Sequence, residues 1–155
     1  MTKAFAYRQT EIGELTNEGV YIGRLADKNG KKRDYFAAPT DAQDENGERL
    51  SLTFNQAAAY AKKATYLDHN DWVVPTSCRD KNGAPDVLNA ICYNKGKGAF
   101  KDTFDDKTYE TAFYWSSSSG LSDSTARVQN LCTRAQHIAG KPFDFYVRLV
   151  RSLPA

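Results

Sequence analysis

Extended, apolar-rich segments stand near both ends of this chain, and its two helix-forming stretches lie between them. Residues 20–25 (VYIGRL) alternate apolar and mixed side chains, Asn29-Gly30 supplies a turn within residues 27–30, and residues 34–38 (DYFAA) run extended again. That pattern predicts a β-hairpin near the start. Residues 113–117, 126–131 and 145–150 predict further strands in the last part of the chain. Strands at both ends, with the helices grouped between them, exclude an alternating βαβ order and predict an α+β domain. The symmetry of residues 20–25 and 145–150 predicts that these two segments are neighbours in one sheet.

Thr53 is placed to cap a helix running from Phe54 to about Tyr66. Phe54, Ala57, Ala58 and Ala61 fall at i, i+3, i+4 and i+7, an amphipathic stripe of mostly small residues that can lie close on a sheet. A second helix is predicted to open at Pro85, whose fixed φ suits the first helical position. Val87, Leu88, Ile91 and Cys92 form its apolar face, and Gly96 ends it. Residues 39–49 are polar, with Asn46-Gly47 as a turn, and residues 118–124 and 133–142 read as long loops. At 155 residues the chain fits one domain, taken as residues 1–155.

A formal net charge of +2 gives no field that draws the chain to nucleic acid or an anionic membrane. The basic run of residues 28–33 (KNGKKR) surrounds Asn29-Gly30 and is expected to be a solvated hairpin tip. Cys78, Cys92 and Cys132 are odd in number and irregular in spacing, so neither a disulfide framework nor a zinc site is expected. Residues 1–15 lack the apolar core of a secretory signal, and no stretch approaches a membrane span. The expectation is synthesis and folding in a reducing cytoplasm, with association to a virion if the chain is phage-encoded.

Three strings carry further information: DWVVPT at residues 71–76, YWSSS at 114–118 and YVRLVR at 146–151. Their order and spacing resemble the Lcl C-terminal domain family, a bacterial and phage domain of unknown function. Gly19, Tyr21 and Gly23 in the hairpin, then Tyr35, Ala37 and Asp41, fit the same pattern, so the resemblance covers about residues 19–151. The family is similar in fold to C-type lectins, the formylglycine-generating enzyme and the variable proteins of diversity-generating retroelements. The resemblance implies a single compact C-type-lectin-like domain with paired terminal strands. It also implies two helices packed on a small antiparallel sheet, and long loops in the C-terminal half forming a recognition surface. The chain departs from the family at Val73, where the family has Arg. It departs again at the insertion of residues 77–85, and at residues 127–132, which replace an aromatic strand. These changes fall in loops and one strand.

Trp72 and Trp115 sit inside framework strings and are expected to anchor the core rather than stack on sugars. Ser116–Ser119 lack the Gly-x-Ser-x-Gly elbow of a nucleophile, and His69 and His137 have no serine assigned to them by the sequence. Calcium would need a cluster of carboxylates and amides. Asn70-Asp71 is instead expected to cap the turn before Trp72, and no metal or cofactor is expected. Only Cys132 lies in the last third of the chain, without the partner that formylglycine-generating chemistry requires. The chain is therefore read as non-enzymatic. Arg127, Arg134, Gln136, His137, Phe143 and Asp144 remain as the expected binding residues, because binding concentrates in loops held by a rigid scaffold. They fit a module that recognises a protein, or a glycan, for example a phage-borne receptor binder or an inhibitor of a host protein. The alternative is a structural subunit that uses the same surface for contacts between copies.

Overall fold

The computed structural model describes residues 10–155; residues 1–9, part of the stretch read for a secretory signal, lie outside it. Among the described residues the architecture is α+β, with two antiparallel sheets and two α-helices. The first sheet holds β1 (Leu15–Thr16), β2 (Gly19–Ala26), β3 (Lys32–Ala37) and β7 (Val150–Pro154), in the order β1-β2-β3-β7. The second holds β4 (Phe113–Ser119), β5 (Thr125–Asn130) and β6 (Gln136–Gly140), with β5 central.

The expected hairpin is β2–β3. Asp27 Oδ1 closes its turn by accepting the Asn29 and Lys31 amides, each at 2.9 Å. Lys28, Lys31 and Lys32 are exposed, so the basic run is a solvated tip as far as Lys32, whereas Arg33 is half-buried and donates from Nε to Ser152 Oγ at 2.8 Å. The terminal strands share this sheet but are not neighbours. β3 has two edges, and after β2 takes one through the tight turn, β7 takes the other.

Two further expectations are corrected at the C-terminal end. Residues 145–149 do not belong to the last strand, which begins at Val150. Their backbone groups go to several different segments: Phe145 pairs with Leu52, Tyr146 with β4, and the Val147 and Leu149 carbonyls accept the Ala42 and Ala38 amides. The run crosses from one sheet to the other, and Val147, Arg148, Leu149 and Val150 are each at most 2% exposed. Residues 136–140, expected in a loop over 133–142, form strand β6. The Asn130 side chain accepts the Cys132 and Thr133 amides, Arg134 takes a φ of +68°, and the chain turns back onto β5. Pairing with β5 supplies what local β-propensity lacks.

Helix α1 (Phe54–Lys63) starts as expected, with Thr53 and Gln56 capping one another's amides at 3.2 and 3.0 Å. It ends before Tyr66, because Leu67 and Asp68 take positive φ in a turn closed by Tyr66 and His69. Ala57 and Ala61 are buried, but Ala58 faces solvent. The helix packs on β4 rather than on the terminal sheet, with Phe54 edge-on to Trp115 at 5.6 Å. Helix α2 (Val87–Asn94) is capped by Asp86, so Pro85 precedes the helix instead of opening it. Its Val87, Leu88, Ile91 and Cys92 pack in one core cluster with Val20 and Ile22 of β2.

Trp72 and Trp115 are 2% and 0% exposed, and their indole N–H groups donate to the His69 and Leu52 carbonyls. Arg148, fully buried, donates from Nε to Asp41 at 2.9 Å and from Nη2 to the Thr103 carbonyl at 2.7 Å. Its guanidinium lies 3.9 Å from the centre of the Phe104 ring. The other Asp41 oxygen accepts Arg49 Nε at 2.7 Å and the Tyr114 hydroxyl. Asp71 does not cap the turn before Trp72. Its carboxylate takes Arg151 Nε at 2.7 Å, and that bond holds its pKa below the ordinary range.

Removing one partner of a buried pair strands the other charge. Asp41→Ala is expected to cost about 3–5 kcal/mol, read by urea unfolding followed through tryptophan fluorescence. A second expectation concerns alkaline pH. Burial, followed by the carboxylates of Asp34 and Asp41, holds the Tyr21 and Tyr114 phenols above their ordinary value. Folded protein keeps these protons where unfolded chain releases them, so stability is intact below about pH 10 and falls above it. Thermal scans should show Tm dropping across that window, with a shallower drop in Tyr21→Phe.

Candidate functional site

The β5–β6 hairpin gathers the residues singled out in the sequence, and its register sorts them. Arg127 pairs with Ile138, Val128 with His137, and Gln129 with Gln136. Successive side chains alternate across a sheet, so Arg127, Gln129, Gln136 and Ile138 share one face while Val128, His137 and Ala139 share the other. Arg134, Gln136, His137, Phe143 and Asp144 are exposed and Arg127 is half-buried. These residues therefore do not form one continuous surface.

The first face looks toward α2. Gln136 Nε2 donates to Asp86 at 2.7 Å, Gln129 Nε2 donates to Asn89 at 2.8 Å, and the Arg134 guanidinium lies 5.2 Å from the Tyr93 ring centre. Arg127 turns toward the loop before that helix, with Nη1 3.7 Å from the Cys78 sulfur. The three cysteines are unpaired: Cys132 is exposed at the β5–β6 turn, Cys78 is half-buried, and burial in the core pushes the Cys92 thiol up.

The second face is aromatic. Phe113 contacts Tyr109, His137 and Phe145 at centroid distances of 5.4, 5.6 and 5.4 Å. Phe145 in turn meets Trp115 at 5.0 Å and carries Phe143 stacked on it, 18° from parallel. The result is a cavity of about 350 Å³ lined by Phe113, Val128, His137, Ala139, Phe143 and Phe145. Phe143 forms its rim and is 65% exposed. Lys141 reaches over the neighbouring Phe54 ring at 4.6 Å. Phe113 and Phe145, which form the floor of this groove, are not among the binding residues expected from the sequence. The i, i+2 spacing of Phe143 and Phe145 in an extended segment was the available signal.

A larger open groove, about 570 Å³, runs beside α1 and includes Gln43, Lys63 and Tyr66. The Tyr60 and Tyr66 hydroxyls bond one another at 2.6 Å, and Tyr60 also takes the Gln43 amide, so its polar floor is occupied from within. His69 contacts the Asn17 carbonyl at 2.9 Å and Glu18 at 3.4 Å, whereas His137 rests on Phe113. No protein-family model and no curated protein matches the chain.

Scaffold and rim separate by stability. Trp115→Ala removes a buried ring and is expected to cost about 3–5 kcal/mol. Arg134→Ala, His137→Ala and Phe143→Ala, which alter exposed side chains, are each expected to stay within about 0.5 kcal/mol of the parent. Urea unfolding of the four variants makes the comparison.

Proposed function

We propose that the chain is a non-enzymatic recognition module of the C-type-lectin-like kind, related to the Lcl C-terminal domain family. In this reading it binds a protein partner through β6 and the loop that follows it. The observation that carries the reading is Phe143, a large ring held mostly in solvent above an aromatic floor. Rigid rings over well-packed pockets are the usual anchors of protein interfaces. A glycan would ask for polar partners around its hydroxyls, and this groove is lined by rings and small apolar side chains. The lectin-like assignment draws support from terminal strands that share a sheet and from Trp72 and Trp115 as framework anchors. The non-enzymatic reading draws support from the two histidines, which are engaged by a carbonyl and a phenyl ring rather than by a serine hydroxyl. Receptor binding and inhibition of a host protein are both served by such a surface.

The test is comparative capture from a cell lysate with parent protein and with the triple variant Arg134→Ala, His137→Ala, Phe143→Ala. Binding of any specific partner should weaken by 2 kcal/mol or more, about thirtyfold. Arg79→Ala with Lys81→Ala, outside this surface, serves as the folded control and should capture as the parent does. If the triple variant keeps every partner, recognition lies on another face.

A further inference from the structure

The outer edge of β6 specifies the form of what binds beside the aromatic groove. We propose that β6 accepts an extended segment of a partner protein as an added strand, with apolar side chains toward the groove and acidic residues at its ends. The inference rests on the recognition surface described above and deepens it.

Neighbouring segments cover β4 and the start of β7, while β7 beyond Val150 carries Arg151 and Pro154 and β2 is interrupted by a register shift at Tyr21/Gly23. At the outer edge of β7, Val73 and Val150 exchange both backbone bonds at 2.8 Å. At the outer edge of β4, the Trp115 amide goes to the Tyr146 carbonyl, the Tyr146 amide to Phe113, and the Ser117 amide to Pro75. No described segment pairs with the outward backbone groups of Gln136 and Ile138, and at the end of the strand the Gly140 carbonyl accepts the Phe143 amide at 3.1 Å. The ladder on its inner side is fixed by the Asn130 amide donating to the Ala135 carbonyl and the Lys141 amide to the Ser124 carbonyl, both at 2.9 Å. Antiparallel pairs alternate between bonded and non-bonded positions, so His137 and Ala139 turn their backbone groups to β5. Gln136 and Ile138 turn theirs outward, and Gly140 offers its amide there. Such a row of donors and acceptors is matched by another extended backbone.

Exposed edges are ordinarily guarded by charge, proline or a bulge. Gln136, His137, Ile138, Ala139 and Gly140 include no charged residue of the Lys or Glu kind and no proline, and they pair with β5 in unbroken register. Charge stands instead at the two ends, on Arg134 and Lys141. Each lies over a ring, Tyr93 or Phe54, and neither forms an ion pair with a described carboxylate. This arrangement disfavours a second copy as occupant. Antiparallel self-pairing centred on Ile138 would set Arg134 of one copy opposite Pro142 of the other, next to Lys141, and so gather Arg134 and Lys141 of both copies along one seam. An acidic segment would be attracted at those same places.

The test uses a displayed library of random peptides about ten residues long, enough for a strand, selected on the whole protein. Selected sequences should alternate apolar residues and be enriched in Asp and Glu. In the complex, hydrogen exchange should slow at the Gln136, Ile138 and Gly140 amides, while His137 and Ala139 are already slow in free protein. Ile138→Pro deletes an outward donor and no β5–β6 bond, so it should weaken peptide binding at least about tenfold and leave the inward amides protected. Gln136→Pro provides the same test if Ile138→Pro does not fold. Binding untouched by a folded proline variant, outward amides that exchange as fast in the complex as free, or a library with no binder would each overturn strand addition. So would a free protein that dimerises with those amides protected. If the proline variants bind normally but Phe143→Ala does not, strand addition falls and the recognition surface stands; if neither change matters, both fall.

Discussion

The fold turns on one buried carboxylate. Asp41 receives Arg148 on one oxygen and both Arg49 and Tyr114 on the other. Arg148 spends its remaining N–H groups on the Ala38 carbonyl and on Thr103. These bonds draw together the segment after β3, the turn before α1, strand β4, the loop after α2 and the run that enters β7. Isolated buried charges are costly, and they are tolerated here because nearly every donor and acceptor has a partner. The consequence is specificity of arrangement: a shift of any contributing segment leaves a charge or hydroxyl unmatched in the core.

The arginine three residues later repeats the solution nearer the surface. Arg151 joins β7 to Glu18 before β2 and to Asp71 beside Trp72. Between the two arginines, Leu149 and Val150 fill the seam where the sheets meet. A segment buried on both sides cannot show a simple polar and apolar alternation, so its inward charges look in the sequence like the exposed half of a strand.

That explains much of what the sequence did and did not disclose. The β2–β3 hairpin, the Thr53 cap and the two buried tryptophans were legible, because each depends on residues close in sequence: a turn dipeptide, a hydroxyl and an amide three residues apart, an aromatic within an apolar string. The Asp41–Arg148 pair spans 107 positions and left no local mark. In the sequence β6 has the look of a loop because Ile138 is its only β-branched residue and the strand is created by the ladder from β5. The exposure of Arg134, Gln136, His137 and Phe143 was foreseeable from composition, but their division between two faces was not. Register decides that division, and a shift of one residue would exchange the faces.

The groove and the rim belong to different parts of the molecule. Phe113 and Phe145 hold the floor and are packed into the core with Trp115, whereas Phe143 and His137 stand exposed at the rim. Descendants of this chain can therefore alter the rim residue by residue, at almost no cost in foldedness, while inheriting the same aromatic cleft and the same open strand beside it. On the proposed reading, a lineage built this way can change the identity of its partner without having to reinvent the manner of gripping it.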